Sequence, residues 1–185
     1  MLEEIHKSEK YLRKGNVILY PTDTVWGIGC DATDAASVKR IFEIKNRVES
    51  KSLIILVDSI EMLKEYIGEI PEDALKILKE SKKPTTIIYN NPKNLADNTI
   101  ASDNTVAIRI PQDKFCQELI KEFGKPIVST SANMSGEPTP KSFTEISKAI
   151  LNSVDYVVDL HREKKTKKSS TILRIDKGSV IVIRE

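Results

Sequence analysis

The stretch VILYPTDTVWGIG, residues 17–29, decides how this chain is organised. Its first four residues are an apolar run and read as a strand. A proline then breaks the run, and two threonines flank an aspartate. Most strands end in a plain turn, so a Thr-Asp-Thr cluster followed by Trp26 raises the question of what the hydroxyls and the carboxylate face. Trp26 reads as packing or as the edge of a pocket. Gly27 and Gly29 suit a backbone passing close to a ligand or to a neighbouring strand.

Working outward, helix and strand patterns alternate. Residues 2–14 read as a helix with Leu2, Ile5 and Leu12 on one side and Gly15 as its stop. Thr33 or Asp34 can cap a helix running to about Lys45, with Val38, Ile41 and Phe42 facing inward. LIILV, residues 53–57, resembles a strand buried on both faces. Helices are expected over 60–67, 72–79 and 142–151, and a helical stripe runs through Phe115, Leu119, Ile120 and Phe123. Strands are expected over 85–89, 106–110, 126–130, 156–159, 171–175 and 180–184, the last two as a hairpin around residues 176–178. The pattern is α/β with a mixed sheet and flanking helices.

The 185 residues suit a single domain, 1–185, with enough chain to bury a core unaided. No apolar run reaches the ~18 residues that span a bilayer. The polar amphipathic start is unlike a signal peptide, so no membrane and a cytoplasmic location are expected. Cys30 and Cys116 lie far apart, outside any C-x-x-C, and read as free buried thiols in a reducing compartment. His6 and His161 offer no metal-ligand spacing. The net charge is +2, yet Arg162 to Lys168 alone carries five basic residues and one acid, so the basic character is local.

Polar clusters recur at strand ends, where open α/β sheets hold ligands. They are residues 21–24; Lys45 to Lys51, with Arg47; Asp103-Asn104-Thr105 with Arg109; STSAN at 129–133; Lys167-Lys168-Ser169-Ser170-Thr171; and Arg184. Each has a plain reading. Lys45, Arg47 and Lys51 suit a solvated helix end favoured by the macrodipole. Arg109 could point outward from an edge strand, and STSAN could be an ordinary loop. Together they suit an anion: closely spaced cations hold a triphosphate, and hydroxyls with successive backbone N–H groups make an anion nest. Neither a Walker loop nor a complete dinucleotide fingerprint is present. The residues themselves describe an anion-binding α/β protein, a nucleotide enzyme among the readings.

Six blocks in order resemble a known family. YPTDTVWGIGCDA, KNRVESKSLIILV, DNTVAIRIP, STSANMSGEPTP, SSTILRI and VIVIRE are similar to the blocks of the YrdC-like threonylcarbamoyl-AMP synthases, from about residue 10 to 185. The resemblance implies an open, twisted mixed sheet with a basic concave cavity. It implies an enzyme, a nucleotidyltransferase joining L-threonine, bicarbonate and ATP into threonylcarbamoyl-AMP and pyrophosphate, with Mg²⁺ on the phosphates. Separate threonylcarbamoyl-transferase proteins then modify tRNA. It implies that Thr24, Thr22, Arg109 and Ser170 meet the threonine. Lys45, Arg47, Lys51, Thr105, Ser129, Ser131, Asn133 and Arg184 would meet the nucleotide and its phosphates. No side chain acts as acid or base; positioning and charge neutralisation do the work. Asp23 is left between a metal-side carboxylate and a turn residue. The chain departs from the pattern at Ser52, Leu56 and Lys83-Pro84-Thr85-Thr86; it is expected to lack the extra C-terminal domain of longer members and to use the basic 162–170 segment as a lid instead. The alternative is a protein of the same fold that binds tRNA or double-stranded RNA without synthase activity.

Overall fold

The computed structural model describes residues 1–46, 53–166, 169–176 and 179–185. Arg47, Lys51, Ser52, Lys167 and Lys168 lie outside the described residues. The strands are β1 (Ile18–Tyr20), β2 (Gly27–Gly29), β3 (Ile54–Leu56), β4 (Thr85–Asn90), β5 (Thr105–Arg109), β6 (Ile127–Ser131), β7 (Tyr156–Val157), β8 (Thr171–Asp176) and β9 (Ser179–Arg184). The helices are α1 (Leu2–Arg13), α2 (Ala35–Lys45), α3 (Ile60–Tyr66), α4 (Glu72–Glu80), α5 (Lys114–Phe123) and α6 (Lys148–Ser153).

Local chemistry sets the helix ends. Asp34 accepts the Ala36 and Ser37 N–H groups to open α2, and Asn46 closes it in the left-handed region at φ 48°. Asp113 accepts from Cys116 to open α5, and Gly124 closes it at φ 74°. The strands form one sheet in the order β7-β1-β2-β6-β3-β5-β4-β8-β9. Parallel pairs β1–β7, β3–β5 and β4–β8 are interspersed among antiparallel ones, so the sheet is mixed and open.

Strand alternation explains where the core stops and a cavity begins. On one face, Leu19, Ile28, Ile55, Ile87, Ile108 and Val128 pack under Val38 and Ile41 of α2, Leu63 of α3, Ala74 of α4 and Ile150 of α6. On the other face, Ile18, Tyr20, Leu56 and Ile127 pack under Ile5 and Leu12 of α1 and Phe115, Leu119 and Ile120 of α5. Each such side chain contributes ~1.5–3 kcal/mol when removed from water. Helices α1 and α5 cover only part of this second face. Beyond them the same-face positions become polar, at Ser129 and Ser131 on β6, Arg109 on β5 and Thr86 on β4.

Three expectations change. The helix expected over 142–151 is instead a 3₁₀ turn, Phe143–Glu145, followed by α6. Ile146 is extended between them, and Ser147 caps a new helix by accepting from Ile150. Strand β2 was not expected, because two glycines in three residues lack the side chains that favour strands. Arg109 does not sit on an edge: β5 lies between β3 and β4, and Arg109 is 3% exposed. The close backbone approach expected at Gly29 is present. A Cβ there would lie 2.3 Å from the Val128 carbonyl oxygen and 2.7 Å from the Tyr20 ring. Only glycine lets Tyr20 cross β2 and donate to that carbonyl at 3.1 Å.

Candidate substrate cavity

The Thr-Asp-Thr turn is wired by its own hydroxyls. Thr22 Oγ1 donates to the Val25 carbonyl at 2.7 Å and accepts the Thr24 N–H at 3.0 Å. Its single proton is thereby used, so in the 3.0 Å contact between the two hydroxyls Thr24 is the donor. Thr24 Oγ1 in turn accepts from Arg109 Nη1 at 3.1 Å. One lone pair of Thr24 remains, and Thr24 lines a cavity of about 260 Å³. Thr22 braces the turn from behind and is not among the residues lining that cavity.

Arg109 lines the same cavity. Its Nη1 lies 2.9 Å from Asp23 Oδ1. This is an ion pair without a directed hydrogen bond, for Oδ1 has no donor aimed at it among the described residues. Asp23 Oδ2 accepts the Gln112 N–H at 3.0 Å, which ties the turn to the loop after β5. Arg109 Nε is buried and has no acceptor among the described residues. An unmade hydrogen bond from a buried charged group is costly, so Nε is a donor left for a partner beyond the described residues.

The opposite wall is the C-terminal hairpin. Arg184 Nη2 and Nε donate to the Ser170 carbonyl at 2.8 and 3.2 Å. Ser170 Oγ lies 2.8 Å from Thr86 Oγ1. Burial lowers the Arg184 pKa, and the nearby charge of Arg109 lowers it further. Two guanidinium groups that feel one another across a cavity favour an anion between them.

Lys45 sits under the end of β6. It is 1% exposed, and its ammonium donates to the carbonyls of Ser131 and of Asn133, the latter at 2.7 Å. The Ser135 N–H returns to the Lys45 carbonyl at 2.8 Å. Lys45 therefore holds the STSAN loop in shape and brings positive charge beneath it.

Of the residues singled out in the sequence, the fold gathers Thr24, Arg109, Ser129, Ser131, Ser170 and Arg184 around one cavity. Asn133 lies just outside the lining: its Nδ2 donates to the Glu137 carbonyl at 2.7 Å, and its buried Oδ1 has no partner among the described residues. Thr105 stands apart at the far end of β5, its hydroxyl donated to Asp103 at 2.6 Å. Arg47 and Lys51 lie outside the described residues. Gly27, expected from the sequence to pass close to a ligand or a neighbouring strand, and Ser169 also line the cavity, and so does Thr139, which sequence reasoning missed. A Cβ at Gly27 would come within 3.2 Å of Ser129 Oγ. Thr139 is a small polar loop residue whose approach depends on the fold alone.

Other chemistries find little support. Burial raises both thiols, Cys30 and Cys116, well above their usual range, so neither is a ready nucleophile. Among the described residues no cluster of three or more His, Cys, Asp or Glu side chains could hold a metal, and no helix is long and apolar enough to cross a membrane. Trp26 packs against Phe143, with ring centroids 5.0 Å apart, as a core residue does.

Comparison with known proteins places the chain in a family. The Sua5/YciO/YrdC family model, described as telomere recombination, matches residues 10–185. The chain is 37% identical over 152 residues to a threonylcarbamoyl-AMP synthase of Pseudoalteromonas translucida, covering 80% of this chain and 81% of that protein. It is 31% identical over 175 residues to a threonylcarbamoyl-AMP synthase of Pyrococcus abyssi, covering 94% of this chain but 51% of the relative, so it spans about half of that protein's length. A crystal structure of Pyrococcus abyssi Sua5 complexed with L-threonine superposes with a TM-score of 0.87 at 29% identity, covering 97% of this chain and 53% of that one. A match over nearly the whole chain, with the same fold and the same order of motifs, means that this chain belongs to the Sua5/YciO/YrdC family.

Proposed function

We propose that this chain is an L-threonylcarbamoyladenylate synthase, converting L-threonine, bicarbonate and ATP into threonylcarbamoyl-AMP and pyrophosphate. The observation that carries the reading is the pairing of Thr24 and Arg109 in one cavity, with Thr24 keeping one lone pair and Arg109 an unpartnered Nε. A guanidinium edge takes a carboxylate in a bidentate manner, and the Thr24 oxygen can accept from the amine or hydroxyl of the same amino acid. Ser170 and Thr22 complete the threonine side, the first directly and the second by holding Thr24.

The nucleotide side is Ser129, Ser131 and Asn133 at the end of β6, with Arg184 opposite and Lys45 beneath. Arg47 and Lys51 are assigned to the same nucleotide; Thr105 is not, because it stands apart from the cavity with its hydroxyl donated to Asp103. Mg²⁺ enters with the ATP as part of that substrate. Asp23 is a poor ligand for it, because its carboxylate is committed to Arg109 and the Gln112 N–H.

The reaction asks little of the protein as acid or base. The threonine amine and bicarbonate combine to a carbamate with loss of water. A carbamate oxygen then forms a bond to the α-phosphorus as the bond to pyrophosphate breaks. Holding the two reactants in line converts an encounter into an intramolecular step, and fixed cations offset the charge on the transferring phosphoryl group.

The single domain of residues 1–185, the cytoplasmic setting and the transfer of the product to tRNA by separate proteins belong to the same proposal. Neither relative named above is described as an RNA-binding protein, and nothing in the cavity favours that alternative. The test is pyrophosphate release by the purified protein. Release that requires both L-threonine and bicarbonate is expected; release indifferent to either would sink the assignment.

A further inference from the structure

The Thr-Asp-Thr turn contains one residue that the reading above leaves without a substrate. Asp23 has a side chain 9% exposed and stands against Arg109, 3% exposed. A buried guanidinium without a counter-charge is costly, and here a second cation, Arg184, is close enough to be felt. Asp23 supplies the counter-charge at Nη1.

We infer that Asp23 is a positioning residue for L-threonine: it and Thr24 hold Arg109 Nη1, so that the Nε–Nη2 edge is presented to the substrate carboxylate. This rests on the synthase reading and deepens it. The geometry is specific about which edge is free. Nη1 faces Asp23 Oδ1 at 2.9 Å and donates to Thr24 Oγ1 at 3.1 Å. Among the described residues no acceptor engages Nε, and the guanidinium hydrogen bond to them is made by Nη1.

Asp23 is itself fixed. Its Oδ2 accepts from the Gln112 backbone, and the Gln112 amide donates to the Ser81 carbonyl at 3.2 Å. The carboxylate is thus held by the backbone after β5, the strand that carries Arg109. Turn, strand end and guanidinium form one unit, and the orientation of Arg109 does not have to be found when substrate arrives.

A carboxylate beside the guanidinium also reduces the net positive charge offered to threonine. Simple attraction would therefore make Asp23→Asn bind threonine more tightly, whereas loss of orientation would make it bind more weakly. The two effects have opposite signs, and a measurement separates them.

The experiment is steady-state pyrophosphate release by wild type, D23N and D23E, varying L-threonine and ATP separately, with thermal unfolding recorded for each protein. D23N is expected to raise the threonine KM by ~10- to 100-fold, the scale of a lost charge-assisted contact. The ATP KM and the kcat at saturating threonine should stay within about threefold. D23E, which restores the charge on a longer arm, should recover part of the threonine KM. An unchanged or lowered threonine KM in D23N overturns the inference, as does an equal rise in both KM values, which is the mark of a general structural role. If D23N does not yield folded protein, D23E is read alone: a raised threonine KM with an unchanged ATP KM supports the inference, and equal shifts overturn it. A wild-type protein with no threonine dependence would be a failure of the synthase reading, visible before any variant is compared.

Discussion

The cavity has two cationic walls, built differently. Arg109 stands on β5, which is paired on both sides, and it has a carboxylate partner and a hydroxyl partner. Arg184 stands near the end of β9, the outermost strand of the sheet, and its partners are the neutral carbonyl and hydroxyl of Ser170. Around it Val180, Ile181, Val182 and Ile183 are 44–54% exposed, and the pairing of β8 with β9 shifts register between Ile172 and Leu173. The difference teaches how a positive charge is kept in place. Where a strand is buried and a counter-ion is adjacent, the charge is oriented before the ligand comes. Where an edge strand and neutral carbonyls hold it, the charge can follow the ligand at little cost.

The comparison can be broken at the interior wall first. Replacing Arg109 by Ala should weaken L-threonine binding most, because truncating one partner of a buried charge pair costs ~2–5 kcal/mol. Calorimetric titration of threonine checks it, and an affinity equal to wild type would contradict the role given to Arg109. Placing a methyl group on Gly29 should come next. A Cβ there meets backbone at 2.3 Å, and overpacking of this kind costs ~1–3 kcal/mol or more. Gly29→Ala should lower the unfolding midpoint in denaturant with its slope unchanged.

The outer wall should yield less. Arg184→Ala should raise the ATP KM by ~10-fold, the scale of about one charge-assisted contact, with global stability within about 0.5 kcal/mol of wild type. A loss as large as that of Arg109→Ala would mean that the two walls are equivalent.

The smallest effect concerns the opposite sheet edge, where carboxylates do the holding. Burial raises the Glu4 pKa, but the Tyr156 hydroxyl, the Asp159 N–H and Lys7 outweigh it, and the net shift is downward from 4.5. Asp155 is likewise lowered from 3.8, its burial outweighed by Arg40 and the Val17 N–H. Carboxylates with depressed folded values stabilise the protein above their unfolded values and lose that contribution as pH falls through the folded ones. The melting temperature should therefore be flat from pH 7 to about 5 and fall below that. Glu4→Gln should lower the neutral-pH melting temperature slightly and make the acid fall shallower.

Much of the fold was legible because its signals are local. Periodicity marked the helices and the apolar strands, and Asp34, one of two candidates, carried the cap signal of α2. Strand β2 was not legible, since Gly27-Ile28-Gly29 has no strand propensity of its own and is a strand only because β1 and β6 pair with it on either side. The break at Ile146 was hidden because the apolar pattern runs through it and a serine cap decides it. At the site, the residue types were visible and their grouping was suggested, but their orientation was not. Thr22 and Thr24 are two residues apart in one turn, yet one braces while the other faces the cavity.

The sequence by itself determined the α/β alternation, the family and the polar identities at the strand ends, because these depend on residue type and order along the chain. Only the tertiary structure decided that Arg109 is interior rather than at an edge, that Asp23 faces it rather than a metal, that Lys45 lies beneath the STSAN loop and that Thr105 stands apart. Those outcomes depend on which strands become neighbours and on where α1 and α5 stop covering the sheet, through contacts between residues more than eighty positions apart.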